Sequence, residues 1–105
     1  DEALKYLKQA LEIRQQVLST NHPNIATSLD NLGTVYQALK EHKEALKYYK
    51  AALEIRQRAL PASHPDIASS LNNLGSVYQF LSQNEEALKH YEQALKMSGS
   101  VSRQP

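Results

Sequence analysis

Hydrophobic positions recur along this chain with the period of an α-helix, and whole segments recur with a longer one. From Asp1 to Leu18, the residues Ala3, Leu4, Leu7, Ala10, Leu11, Ile13, Val17 and Leu18 form one broad apolar stripe. Lys5, Lys8, Glu12 and Gln15 lie off it, as an amphipathic helix requires. The pattern returns 42 residues on, from Lys43 to Leu60, and starts a third time at Glu86-Ala87-Leu88-Lys89. Between these lie two copies of a second segment, HPNIATSLDNLGTVYQ from His22 and HPDIASSLNNLGSVYQ from His64. They too are 42 residues apart. Self-similarity at a fixed period of this size marks a repeated supersecondary unit that gains its core by stacking.

Local signals divide the units. Pro23 and Pro65 suit the first position of a helix, where a missing N–H costs nothing, with Asn21 or His22 as the cap of the first. The first leading helix is predicted to run to about Lys40, with Glu41-His42-Lys43 as a tight polar turn. Pro61-Ala62-Ser63 breaks the chain after Leu60, and Ser82-Gln83-Asn84 forms the second tight turn. The last helix begins near Glu85 and fades near Met97, leaving SGSVSRQP as a polar tail without a hydrophobic face. The prediction is all-α, with five helices and about two and a half helix–turn–helix units. A partial unit of one trailing helix spans 1–18 and full units span 22–60 and 64–97, so the array covers 1–97. A flexible tail covers 98–105. Helices of this length are marginal alone in water, so packing must hold them.

Composition narrows the function. Lysine and arginine number 12 against 11 acids, a net charge of +1 that gives no electrostatic case for nucleic acid or an anionic membrane. Cysteine is absent, which excludes disulfides and thiol catalysis. No apolar run reaches membrane-spanning length, and DEALKYLKQA has no signal-peptide pattern, so the expected location is cytoplasmic. The only methionine is Met97, which suggests that Asp1 follows an excision or processing.

Inside each unit the residues resemble a tetratricopeptide repeat. Leu32-Gly33 and Tyr36 on the leading helix, with Ala45, Tyr49 and Ala52 on the trailing one, carry the likeness in the first full unit. Leu74-Gly75, Tyr78, Ala87, Tyr91 and Ala94 carry it in the second, and Ala3, Leu7 and Ala10 in the opening half-unit. Leu29 and Leu71 stand where the family usually has Trp, and the period is longer than the usual ~34. His-Pro openings, Leu-x-Asn-Leu-Gly-x-Val-Tyr and Ala-Leu-Glu-Ile-Arg are similar to the kinesin-light-chain and nephrocystin-like subclass. The resemblance implies a right-handed α-solenoid of antiparallel helix pairs. Gly33 and Gly75 each cost about 1 kcal/mol in mid-helix, which implies a close helix crossing. Ala45 and Ala87 are expected at that crossing, with the tyrosines in wider gaps.

A helical wheel of the leading helix gathers Ile25, Leu29, Leu32, Tyr36 and Leu39 on one side. Thr27, Asp30, Asn31, Thr34 and Ala38 point the other way, with Gln37 on the border. In the second copy the matching positions are Ser69, Asn72, Asn73, Ser76 and Phe80, with Gln79 at the edge. In solenoids of the resembled family this stripe lines the concave surface, so it is the candidate peptide-binding groove. Asn31 and Asn73 recur in register and carry both donor and acceptor, which suits the backbone of an extended peptide. The competing reading is a plain solvated helix face. The groove positions hold no Lys or Arg, which argues against a carboxylate clamp. Phe80 is either an exposed aromatic anchor or packed under a neighbouring helix.

Nothing supports catalysis, a metal or a cofactor. His22 and His64 sit where caps are needed, His42 in a turn and His90 on a trailing helix, with no ligand spacing among them. There is no Gly-rich phosphate loop and no nucleophile with a paired base. Lys47, Lys50, Arg56, Arg58 and Lys89, interleaved with Glu54 and Glu92, read as a solvated convex face with i,i+4 pairs Glu54–Arg58 and Glu85–Lys89. The expected function is a scaffold that binds a protein or peptide, the alternative a structural spacer without a ligand. Both ends are expected to expose apolar surface and to favour self-association.

Overall fold

The computed structural model describes residues 2–17 and 22–98. The predicted loop around residues 19–21, the cap at Asn21 and the tail from residue 99 onward lie outside them. Among the described residues there are five helices and no strand: α1 (Glu2–Val17), α2 (Pro23–Ala38), α3 (His42–Ala59), α4 (Pro65–Phe80) and α5 (Asn84–Ser98). Each helix packs on its neighbours in the chain, α2 on α3, α4 on α5, α1 on α2 and α3 on α4. The outcome is an all-α solenoid 48 Å long and 14 Å in its thinnest dimension.

The leading helices start alike. The Nδ1 of His22 accepts the Asn24 N–H at 3.1 Å, and that of His64 the Asp66 N–H at 3.0 Å. Each imidazole thereby satisfies one of the orphan donors of a helix start, with Pro following in the first turn. They also stop alike, and earlier than the sequence pattern suggests. α2 ends at Ala38, Lys40 takes the left-handed conformation (φ 64°), and α3 already begins at His42. The Lys40 and Glu41 N–H groups reach back to the Gln37 and Tyr36 carbonyls, at 2.9 Å each. That pair of bonds is the Schellman stop. Ser82 (φ 61°) and Gln83 repeat it onto Gln79 and Tyr78, so α5 begins at Asn84. Leu39, placed by the wheel on the apolar side, is instead the capping residue of α2 and 40% exposed.

The core runs along the seam between leading and trailing helices. Ile25, Ala26, Leu29, Ala52 and Ile55 form one buried cluster, and Ile67, Leu71 and Ala94 its counterpart in the second unit. A central cluster of Tyr36, Ala45, Tyr49, Leu74, Val77, Tyr78 and Ala87 joins the two units. The glycines do mark a close approach, but the partner differs from the one expected. A Cβ on Gly33 would lie 2.8 Å from the Tyr49 ring, and one on Gly75 2.8 Å from the Tyr91 ring. The tyrosine rings therefore pack directly against the glycines rather than filling wider gaps, because only a missing Cβ admits a ring there.

At each junction a leading-helix tyrosine is held on two sides. Tyr36 stacks on Tyr48 at 5.4 Å between centroids, with the Lys8 ammonium 5.8 Å from its ring. Tyr78 lies 5.1 Å from His90, with Lys50 at 5.9 Å. The junction geometry thus repeats from unit to unit.

Candidate peptide-binding groove

The polar stripe of α2 and α4 divides into residues bonded within the chain and residues that are not. Tyr49, 2% exposed, brings its hydroxyl across the glycine to the stripe. It donates to Gln37 Oε1 at 3.2 Å and takes a hydrogen bond from Thr34 Oγ1 at 2.9 Å. Gln37 Nε2 then donates to Ser76 Oγ at 3.1 Å, crossing from α2 to α4. Burial raises the Tyr49 phenol above its ordinary range, with the Thr34 bond opposing, so it stays protonated and can donate. In the second unit Tyr91 donates to Gln79 Oε1 at 3.1 Å.

Asp30 behaves differently from the rest of the stripe. Its carboxylate is ion-paired with Arg56, and both side chains are largely buried. Arg56 Nη1 also donates to Ser70 Oγ at 2.7 Å, so one guanidinium clasps α2, α3 and α4. Desolvation raises the Asp30 carboxyl above its ordinary value, the Arg56 charge pulling the other way, and Oδ1 has no hydrogen-bond partner among the described residues. Arg14 repeats part of the clasp, donating to Ser28 Oγ at 2.7 Å and to the Asn24 carbonyl at 3.1 Å. Arg56 therefore does not belong to the solvated face predicted for it. The sequence signal was available: Arg14 and Arg56, like Ser28 and Ser70, recur at the repeat period. Asp30 becomes Asn72 in the unit where Ser98 occupies the arginine position. The exposed pair Glu54–Arg58 does form, at 3.6 Å, whereas no ion pair joins Glu85 to Lys89 among the described residues.

The remaining stripe residues face solvent. Thr27, Asn31, Ser69 and Asn72 are exposed, and Asn73 is half-buried. Thr27 returns a long bond of 3.5 Å to the Pro23 carbonyl. The carboxamides of Asn31 and Asn73 make no hydrogen bond among the described residues. Phe80 is 63% exposed at the end of α4, its ring stacked on His42 at 4.8 Å and 7°. It is exposed and packed at once, since His42 covers one face. A shallow cleft of about 270 Å³ adjoins Gln79 and Phe80. Among the described residues no cluster of acids, histidines or cysteines could hold a metal. No described helix is long and apolar enough to cross a membrane.

A glycine beneath a tyrosine ring, small alanines along the trailing helix and stacked antiparallel pairs describe one kind of unit. The tetratricopeptide repeat family profile matches residues 1–58 and again 31–99. The chain belongs to the tetratricopeptide repeat family. Two solved structures come from a Podosopora anserina protein described as a kinesin light chain with nearly identical TPR-like repeats. One superposes with a TM-score of 0.81 at 28% identity, over 98% of this chain and 49% of that one. A single-substitution variant of that protein gives 0.85 at 26% identity, over 99% and 50%. BtubC (BKLC) from P. vanneervenii shares the fold, with a TM-score of 0.86 at 23% identity over 96% of this chain and 41% of its own. The chain thus spans half or less of each of these structures. No curated protein sequence matches closely enough to count as a relative. The TPR units here are similar to the repeats of those kinesin-light-chain structures, and TPR units generally form scaffolds that bind proteins.

Proposed function

We propose that the stripe on α2 and α4 is a peptide-binding groove, and that the TPR units hold an extended segment of a partner protein. The observation that carries this reading is that Asn31 and Asn73, one repeat apart, make no hydrogen bond among the described residues. Around them the surface is neutral, since Arg56 compensates Asp30. Carboxamides and hydroxyls without net charge suit a peptide backbone better than a terminal carboxylate. Thr27, Thr34, Ser69, Asn72, Ser76 and Gln79 extend the polar surface, and Phe80 offers one open ring face for an apolar anchor. The reading includes a cytoplasmic, non-enzymatic protein organised as one partial and two full units. Where nothing else covers the terminal helices, copies pair weakly through them.

The test replaces Asn31 and Asn73 together with Ala and measures peptide-library binding alongside thermal stability. Lost binding at unchanged stability is the expected result. A second reading, a spacer without a ligand, draws on the internal use of Thr34, Gln37 and Ser76, which hold Tyr49 and the junction. A chain that selects no peptide at all would favour the spacer.

A further inference from the structure

Tyr49 carries one hydroxyl proton and has two hydrogen-bonding neighbours, Thr34 Oγ1 at 2.9 Å and the Gln37 amide at 3.2 Å. The tyrosine is 2% exposed, so water does not relieve a donor set against a donor there. Its proton goes to Gln37 Oε1, and Thr34 must then donate to the phenol. Gln37 Nε2 in turn donates to Ser76 Oγ at 3.1 Å. Donation therefore runs one way, from Thr34 on α2 through Tyr49 on α3 and Gln37 to Ser76 on α4. The two ends are left with opposite polarity. The Thr34 proton is engaged, so that oxygen has only lone pairs for the groove. Ser76 has accepted, and its own proton donates to no group among the described residues.

The amide permits one other arrangement. Its oxygen and nitrogen are alike in size and lie 3.2 and 3.1 Å from their partners, so a half-turn exchanges them without moving a helix. Ser76 then donates to Oε1, Nε2 donates to Tyr49, and Tyr49 donates to Thr34. Each arrangement makes all three bonds, whereas a mixed one leaves a polar group unpaired. The two ends thus invert together, although they belong to different units. Thr34 is exposed and Ser76 half-buried, so both are within reach of a molecule lying along the stripe.

We propose that Thr34 and Ser76 read a bound segment as one coupled pair, a backbone carbonyl on Ser76 committing Thr34 to accept a backbone N–H. The proposal rests on the peptide-groove reading and adds the polarity that the groove demands. An extended backbone meets it, because carbonyls and N–H groups alternate along one edge. A terminal carboxylate does not, since it satisfies Ser76 but sets lone pairs against the lone pairs of Thr34. Gln37 and Tyr49 are positioning residues, which act through the two hydroxyls at the ends.

The probe is the peptide that the full chain selects most strongly from a random displayed library, remade with each backbone N–H replaced in turn by an ester oxygen. One ester should weaken binding to the native chain about fivefold, the worth of a hydrogen bond, and have little effect on binding to Thr34→Val. Against Ser76→Ala the same ester should weaken binding less than about twofold, because the amide turns to Tyr49 and Thr34 becomes a donor. In Tyr49→Phe, which keeps the ring on Gly33, Ser76→Ala should no longer change the effect of the ester. Nuclear Overhauser contacts of the Gln37 amide protons report the turn without a peptide, moving from residue 76 in the native chain to the Tyr49 ring in Ser76→Ala. An ester effect that Ser76→Ala leaves unchanged, or an amide that keeps its orientation in that variant, would overturn the coupling and leave the groove standing. Selection of no peptide at all would overturn the groove and the coupled reading with it.

Discussion

In the first full unit the tyrosine over the glycine, Tyr49, is 2% exposed and its hydroxyl engages both Thr34 and Gln37. In the second, Tyr91 sits over Gly75 in the same way, yet it is only half-buried and holds Gln79 alone among the described residues. The two units share their packing residues almost letter for letter, so the difference does not come from the tyrosine or the glycine. It comes from what lies beyond. The first unit has α4 against it, and the Gln37–Ser76 bond fixes the amide that in turn fixes the phenol. The first unit also has the Asp30–Arg56–Ser70 clasp, where the second has Asn72 and Ser98. In a solenoid the stability of a unit is partly a property of its neighbour.

The sharpest way to break this comparison is to remove the clasp. Arg56→Ala strands a largely buried carboxylate and should cost about 3 kcal/mol, read as a lower urea midpoint. Arg14→Ala strands no carboxylate and should cost about 1 kcal/mol, the worth of a hydrogen bond. Equal losses would mean that Asp30 contributes nothing to the difference. Next comes the glycine pair. Gly33→Ala forces the Tyr49 ring to move against two hydrogen bonds and should destabilise by about 2 kcal/mol, after the gain in helix propensity. Gly75→Ala meets a ring that can yield, and thermal denaturation should show a clearly smaller loss. A larger loss at Gly75 would contradict the idea that the neighbour sets rigidity.

Smaller effects sharpen the same contrast. Gln37→Ala should cost about 1 kcal/mol by chemical denaturation, because it unties both Tyr49 and Ser76. Gln79→Ala should stay within about 0.5 kcal/mol, as exposed positions usually do. The smallest concerns pH. Desolvation raises the folded-state value of Asp30 above its ordinary 3.8, against the pull of Arg56. A raised value means that the folded state binds the proton more tightly. Its contribution to stability is therefore fullest below 3.8 and is lost as pH rises through the folded value. The stability of the native chain relative to Asp30→Asn should thus decline with rising pH across the acid range. A constant difference between the two would show that burial does not dominate at this carboxyl.

Much of the architecture was legible in the residues. The helical stripes, His-Pro starts and 42-residue period gave the element order, because local propensity and burial pattern agree there. The helix ends were less legible. Lys40 and Ser82 adopt a left-handed stop that chains usually give to glycine, so no glycine announced it. Of the candidate groove, the wheel separated the polar positions of α2 and α4 from the apolar ones. It could not tell that Thr34, Gln37 and Ser76 are engaged with Tyr49 and with each other, nor that Arg56 would turn inward to Asp30.

The sequence by itself determined the repeat, the helices and their His-Pro starts, since each depends on residues close in the chain or fixed by the period. Only the tertiary structure decided which polar groups remain available. That depends on contacts between units: α3 reaching both α2 and α4 through one guanidinium, and α2 reaching α4 through one amide. A helical wheel treats each helix as if it stood alone, and a solenoid gives identical residues different partners according to their place in the stack.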